Sequence, residues 1–388
     1  SAATRINSQG LIENVASGDS RLEYPLIDGV VNGCPSVLLE PQRTNEWLYS
    51  EDFSNAGWTK TNVTITSNNA ISPDGTLNAS KITDDATSGE HRIRGNTVFI
   101  SSVANFSIFA KAAEYSTFAI ANLSDLFITK FDLSNGTIIS TGSGWSDAKI
   151  EDYGNGWYKL SAKISANKTC GYGLLNDNGD FVFSGDGTKG VYIWGAQFEQ
   201  ADYPTSYIPT NGTTVTRLAD TANGAGDATT FNDSEGVLMA EISALSESGG
   251  NRELTLSDGS TSNRIIVQYR DGSNIRIILA KSTGDEFDTG VIPFNTIEKN
   301  KIAIKYKTND FAFWVNGIEI YSDNTGNTFS ANTLSKINFD GGTGGNDFYG
   351  KTKQLQYFQT VLTDSELEEL TSWESFTAMA YGQLYTIE

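Results

Sequence analysis

The chain predicts an all-β protein built of antiparallel sandwiches, and three observations carry that prediction. Short β-branched and aromatic runs alternate with segments crowded with Gly, Ser, Thr, Asn and Asp, the composition of sandwiches and barrels. The 38 glycines stand against only 7 prolines, which suits many tight turns between strands. Helical periodicity is almost confined to one short segment near the C-terminal end. At 388 residues the chain is long enough for two domains with full cores and long for one.

Residues 1–44 show little regular pattern. SAATRINSQGLIENV has extended character, and CPSVLLEPQRTN holds a compact apolar run (Val37, Leu38, Leu39) that stops at Pro41. This segment reads as an N-terminal arm or attachment segment, with a domain-edge strand and irregular loops as the competing reading.

Residues 45–210 form a first module. A strand starts around Val63–Thr66, and Ser72–Thr76 turns with Asp74-Gly75 supplying positive φ. Strands follow at Arg92–Ile100 and Asn105–Lys111. In the latter, Phe106, Ile108 and Ala110 oppose Ser107, Phe109 and Lys111. After the Asn155-Gly156 turn, Tyr158, Leu160, Ala162 and Ile164 point inward and Lys159, Ser161 and Lys163 outward, as in an antiparallel sheet with one wet face. Val191–Phe198 closes the module. Strict alternation there puts Tyr192, Trp194, Ala196 and Phe198 on one face.

Residues 211–388 form a second module, opened by a strand at Gly236–Ala244. Arg264–Arg270 and Asn274–Ala280 flank Asp271-Gly272-Ser273, a hairpin signal, and FAFWVNGIEIYS is a hairpin about Asn316-Gly317. Lys301–Lys307 alternates Ile302, Ile304 and Tyr306 against Lys and Ala. LQYFQTVLTDSELEEL is a strand followed by the one good helix, with Thr363 and Glu366 as a capping box and Leu367 and Leu370 as its apolar face.

Charge and cysteines narrow the function classes. The net charge of −20 repels nucleic acid and anionic membrane surfaces. It also makes strongly acidic polysaccharides awkward ligands unless a local basic patch or a divalent cation mediates. Cys34 and Cys170 have no metal spacing and form no disulfide framework; one bridge is open to them, but free thiols are the expectation. No apolar stretch approaches the ~18 residues of a membrane span. The start at Ser1, without methionine or signal-peptide pattern, leads us to expect a processed or truncated chain.

Three segments bear a family resemblance: LLEPQRTN (38–45), IWGAQFEQADYPTSYIPTNGTTVTRLAD (193–220) and YFQTVLTDSELEEL (357–370). They resemble phage tail and virion-surface proteins in which a carbohydrate-binding-like jelly roll precedes a laminin-G/concanavalin-like module. The resemblance implies two concanavalin-like or jelly-roll sandwiches in tandem, at 45–210 and 211–388, behind the 1–44 arm. It implies a tail-fibre, spike or head-fibre protein that adheres to host-surface glycans and contacts other virion proteins, at the virion surface or, as the alternative, a bacterial cell surface. A structural decoration or spike protein, trimeric through residues 1–44, remains open, as does a polysaccharide depolymerase. Concanavalin-like modules also imply a rim calcium. Asp177 and Asp180, in Asn176–Asp180, are its candidate ligands, and Asp340–Asp347 is a second oxygen-rich loop. Asp/Asn/Gly clusters also simply make turns.

Catalytic motifs are missing. The sole histidine, His91, sits in SGEHRIR, with no GxSxG elbow, HExxH, P-loop or dinucleotide fingerprint in the chain. We expect no enzyme. The binding candidates are aromatic faces for stacking on sugars: Trp58 and Trp145 in Gly/Ser/Asn-rich loops, and Trp314, which alternates against Phe311, Phe313 and Val315. His91 and Arg92 complete the candidate set, with an ordinary polar strand start as the plainer reading. Core packing is the competing reading for each tryptophan.

Overall fold

The computed structural model describes residues 3–96, 99–165 and 167–375. Nearly every regular element is a strand, paired antiparallel, and the chain divides into two compact units. One gathers Gln42–Leu218 with the described residues up to Pro35; the other gathers Ser36–Pro41 with the described residues from Ala219 onward. Both are all-β sandwiches.

In the first unit one sheet runs in the order Trp145–Asp152, Trp157–Ile164, Ala104–Ala112, Gly190–Glu199, Leu77–Asp84, Val63–Ile71. The facing sheet runs Thr137–Ser140, Phe127–Asp132, Thr117–Asn122, Cys170–Leu174, Arg92–Arg94, Thr59–Thr61. The period of two sends Phe106, Ile108, Leu160, Ala162 and Ile193 from the first sheet against Ile93, Phe118, Ile120, Phe131 and Leu174 from the second. Each fully buried Phe, Ile or Leu there stabilises by about 1.5–3 kcal/mol.

The Gly190–Glu199 strand departs from strict alternation. Ser107 pairs with Gln197 but Phe109 pairs with Trp194, so Gly195 and Ala196 together oppose Ile108. This bulge flips the phase: Val191, Ile193, Ala196 and Phe198 enter the core between the sheets, while Trp194 faces out. Gly195 permits it, with φ 62° and no Cβ to meet Phe109 at 2.9 Å. The expected grouping of Tyr192 and Trp194 with Ala196 and Phe198 is therefore corrected.

The expected wet face is also only partly wet. Trp194, Phe109, Trp157, Tyr207, Ala79 and Ile12 build a second apolar cluster on the outer side of that sheet. Ser161 and Lys159 are buried there too, and Lys159 donates its ammonium to the Thr205 carbonyl at 2.9 Å. The N-terminal residues join this cover. Ala3–Ile6 and Ile12–Val15 form a hairpin, Thr4 Oγ1 donates to the Tyr207 carbonyl, and the buried Arg21 reaches the Thr4 carbonyl and Ser206 Oγ.

The Pro/Gly-punctuated stretch after residue 200 closes this unit. Val215–Arg217 pairs with Arg43–Asn45. Buried Glu199 accepts from Gln197 Nε2 at 2.8 Å and from the Thr205 backbone at 3.0 Å. Asn45 is the central clip. Its amide donates to the carbonyls of Ala196 and Ile208, and its oxygen accepts from the backbone of Trp47 and Phe198.

In the second unit one sheet includes Ser36–Leu39, Gly350–Phe358, Glu235–Ala244, Asn300–Lys307, Phe311–Val315 and Ile318–Asp323 in that order. The other runs Asn223–Ala225, Lys336–Asn338, Arg252–Ser257, Arg264–Arg270, Asn274–Lys281, Gly284–Asp288, with Ile292–Pro293 also on Asn274–Lys281. Ile302, Ile304, Tyr306 and Phe313 meet Leu254, Val267, Ile275 and Ile277 between them. The helix is Asp364–Thr371; Thr363 and Glu366 close the reciprocal capping box, and Leu367 is fully buried.

Candidate functional site

A cavity of about 170 Å³ opens at one end of the first sandwich, where Ala104–Ala112 and Cys170–Leu174 begin and Gly190–Glu199 finishes. Its floor is the end of the aromatic core. Phe106 and Phe198 stack at 4.5 Å, and Trp47 leans on them at 6.0 and 5.3 Å. Trp47 is fixed by a bond from its indole nitrogen to Tyr172 Oη at 3.2 Å. Gly95 lets the backbone cross that ring, since a Cβ there would lie 2.2 Å from it. The strand expected over Arg92–Ile100 is described as Arg92–Arg94; residues 97 and 98 of that expectation lie outside the described residues.

The rim is polar and carries two cations. Arg94 comes from the end of its strand, next to Asn96, whose amide is held by the Leu48 nitrogen and the Glu46 carbonyl. Asn167 and Lys168 come from the loop before Cys170. Asn167 Oδ1 accepts from the Ile100 nitrogen at 3.1 Å. Lys168 pairs with Asp125 at 2.7 Å, and Arg94 donates to Thr59 Oγ1 at 3.4 Å. That ammonium holds the Asp125 carboxyl below its ordinary value. Among the described residues no carboxylate, histidine or tyrosine lines the cavity, and burial pushes the lining thiol of Cys170 up to about 12, away from thiolate chemistry. What the arrangement can do is bind: amides and cations fix polar substituents over an apolar floor.

The residues singled out in the sequence lie elsewhere. Trp58 and Trp145 are core residues, so the expectation of open ring faces is corrected. Trp58 donates to the Tyr49 carbonyl at 2.8 Å and packs between Trp47 and Phe53. Trp145 donates to the Phe127 carbonyl at 3.0 Å and meets Phe106 edge-on. Each loop supplies a carbonyl for its indole, which lets the ring be buried. Both back the cavity floor rather than face a ligand. Trp314 does point away from the core between the sheets, but Leu367 of the helix covers it together with Val237 and Met239.

His91 is fully buried. Its ring nitrogens face the carbonyls of Asn62 at 2.7 Å and Phe183 at 3.2 Å, and its ring lies on Phe183. Arg92 is tied to Glu90. Neither lines the cavity; Arg94, one strand period beyond Arg92, does.

Asp177 and Asp180 form a turn whose donor set does not fit a calcium ion. Asn176 Oδ1 accepts the backbone N–H of Asn178 and Asp180, while Lys189 sits on Asp177 and Lys130 on the Gly179 carbonyl, both at 2.7 Å. Two ammonium groups thus hold oxygens the ion would need. In the other oxygen-rich loop, Asp340 is engaged by Asn223 and the Gly342 nitrogen, and Asp347 by Tyr349. Among the described residues no three His, Cys, Asp or Glu side chains are grouped to hold a metal.

Fold and cavity together define an all-β chain of antiparallel sandwiches with a small polar-rimmed site in the first. No protein-family model matches it, and no curated protein matches it. Among solved structures it is similar to the Ruminococcus gnavus IT-sialidase CBM40 bound to α2,3-sialyllactose: 17% identity, TM-score 0.33, covering 39% of this chain and 94% of that one. It is also similar to domains LG4-5 of the mouse laminin α1 chain: 12% identity, TM-score 0.25, covering 72% of this chain and 88% of that one. These are likenesses of β-sandwich fold, and they assign no ligand.

Proposed function

We propose that the chain is a glycan-binding protein whose first unit receives a sugar in the cavity rimmed by Arg94, Asn96, Asn167 and Lys168. One observation carries the reading: a cavity at the end of the aromatic core is ringed by the amides of Asn96 and Asn167 and by the cations Arg94 and Lys168. Amide and cationic donors at the rim select hydroxyl directions, above a floor whose rings, Trp47, Phe106 and Phe198, are themselves almost fully buried. The cavity is smaller than the roughly 300–1,000 Å³ of pockets for drug-sized ligands, which points to one ring or a chain end as the bound unit. We place this activity at a phage virion surface, as adhesion to host glycans, on the strength of the sequence segments 38–45, 193–220 and 357–370.

The test is a broad glycan array, including bacterial capsule and lipopolysaccharide, probed with the wild-type chain and with Arg94→Ala and Asn167→Ala. Specific binding that drops about ten-fold or more in both variants supports the reading. Binding that survives both places the site elsewhere, and binding to no glycan overturns the proposal.

A further inference from the structure

We propose that the cavity selects an anionic sugar, one carrying a carboxylate or sulfate, through Arg94 and Lys168; this rests on the reading of the cavity as a glycan site. The argument is electrostatic. The chain carries 47 acidic residues against 27 basic ones, so an anion approaching most of its surface is repelled. The cavity reverses that sign locally. Among the described residues two cations line it and no carboxylate does, while its remaining polar lining is neutral: Asn96, Ser124, Asn167 and Thr169.

The two cations reach the rim from neighbouring antiparallel strands of one sheet: one from the strand end at Arg94, the other from the loop that leads into Cys170–Leu174. A guanidinium forks onto two oxygens of a planar carboxylate or a sulfate, whereas an ammonium adds a point charge. The hydroxyl-directed groups between them, Ser124, Asn167 and Thr169, suit a sugar rather than a bare ion. Asp125 stands outside the lining and pairs with Lys168 at 2.7 Å with both side chains about one-third exposed. A ligand anion competes with it for the ammonium, and such an exposed pair is weak enough to yield. A neutral sugar gains nothing from displacing Asp125, so the pair acts as a filter.

Titration calorimetry on the full chain tests this with three oligosaccharide series of equal length: neutral, uronic-acid-containing and sulfated. The proposal expects an anionic series to bind at least about ten-fold tighter than the neutral one, with affinity falling as salt rises. Arg94→Gln and Lys168→Gln should each erase most of that preference while leaving weak neutral binding, and Asp125→Asn should strengthen anion binding. The uronic and sulfated arms then identify which anionic group the site takes. Both cations are partly exposed, so these variants keep the fold, and a thermal melt verifies it. Equal affinity for neutral and anionic sugars, lost on Asn167→Ala, overturns the charge selection but leaves the glycan site standing. Anion binding indifferent to Arg94→Gln and Lys168→Gln overturns the proposed site, and no binding in any series overturns both.

Discussion

Replacing Asn45 with alanine is expected to destabilise the first unit and disturb the cavity together. The side chain is fully buried and makes four hydrogen bonds. Two are donated to the carbonyls of Ala196 and Ile208, at 3.2 and 2.8 Å; two are accepted from the nitrogens of Trp47 and Phe198, at 3.2 and 3.1 Å. The substitution removes the side-chain partner of those four buried backbone groups. A buried group left unsatisfied costs about 1–3 kcal/mol. The three bonds longer than 3.0 Å belong at the lower end, and water entering the space restores part of the loss, so we expect about 3–4 kcal/mol in total. Trp47 and Phe198 are two of the three floor rings, so ligand affinity should fall as well. Urea unfolding followed by tryptophan fluorescence is the assay, because five of the 7 tryptophans (47, 58, 145, 157, 194) lie in the first unit. A loss below about 1 kcal/mol, with ligand affinity unchanged, would refute the view that this amide clips the closing segment to the sandwich.

Further perturbations probe other links. Gly195→Ala forces a side chain into φ 62° and against Phe109; a loss of about 2 kcal/mol or more is expected by the same assay. Leu367→Ala empties the contact over Trp314 and should cost about 2–4 kcal/mol, whereas Thr363→Ala removes only the cap and should cost about 1 kcal/mol; equal losses would contradict this division. Burial raises the Glu51 carboxyl above 4.5 even though Tyr207 donates to it. The folded state therefore holds that proton more tightly, so Glu51 contributes stability present below pH 4.5 and lost as pH rises through its higher folded value. Glu51→Gln should flatten the stability profile across that window, and an unchanged profile would contradict it. Cys34 should react with a thiol reagent in the native protein while buried Cys170 resists until unfolding.

What the sequence made legible is what short-range chemistry controls. The Asn316-Gly317 hairpin, with φ of 49° and 86°, and the Thr363–Glu366 capping box are set by residues adjacent in the chain. So are the clean faces of Ala104–Ala112 and Trp157–Ile164, where the period of two runs unbroken. Legibility stopped where distant partners decide. The bulge at Gly195 needed the pairing with Phe109 to be visible. Trp58 and Trp145 looked exposed because their loops are rich in small residues, yet each indole finds a carbonyl that alternation does not reveal. The cavity was hidden for the same reason: Trp47, Arg94, Ser124 and Lys168 come from four segments with no shared spacing. The one local signal was the Arg92-Ile-Arg94 alternation, which places two arginines on one face.

The central claim is that the cavity of the first unit is where a glycan binds. A crystal structure of the chain with the tightest-binding oligosaccharide from the array tests it most directly. The account predicts one sugar unit in the cavity mouth, with its polar substituents on Arg94, Asn167 and Lys168. A sugar bound at any other place, with this cavity unchanged, would contradict it.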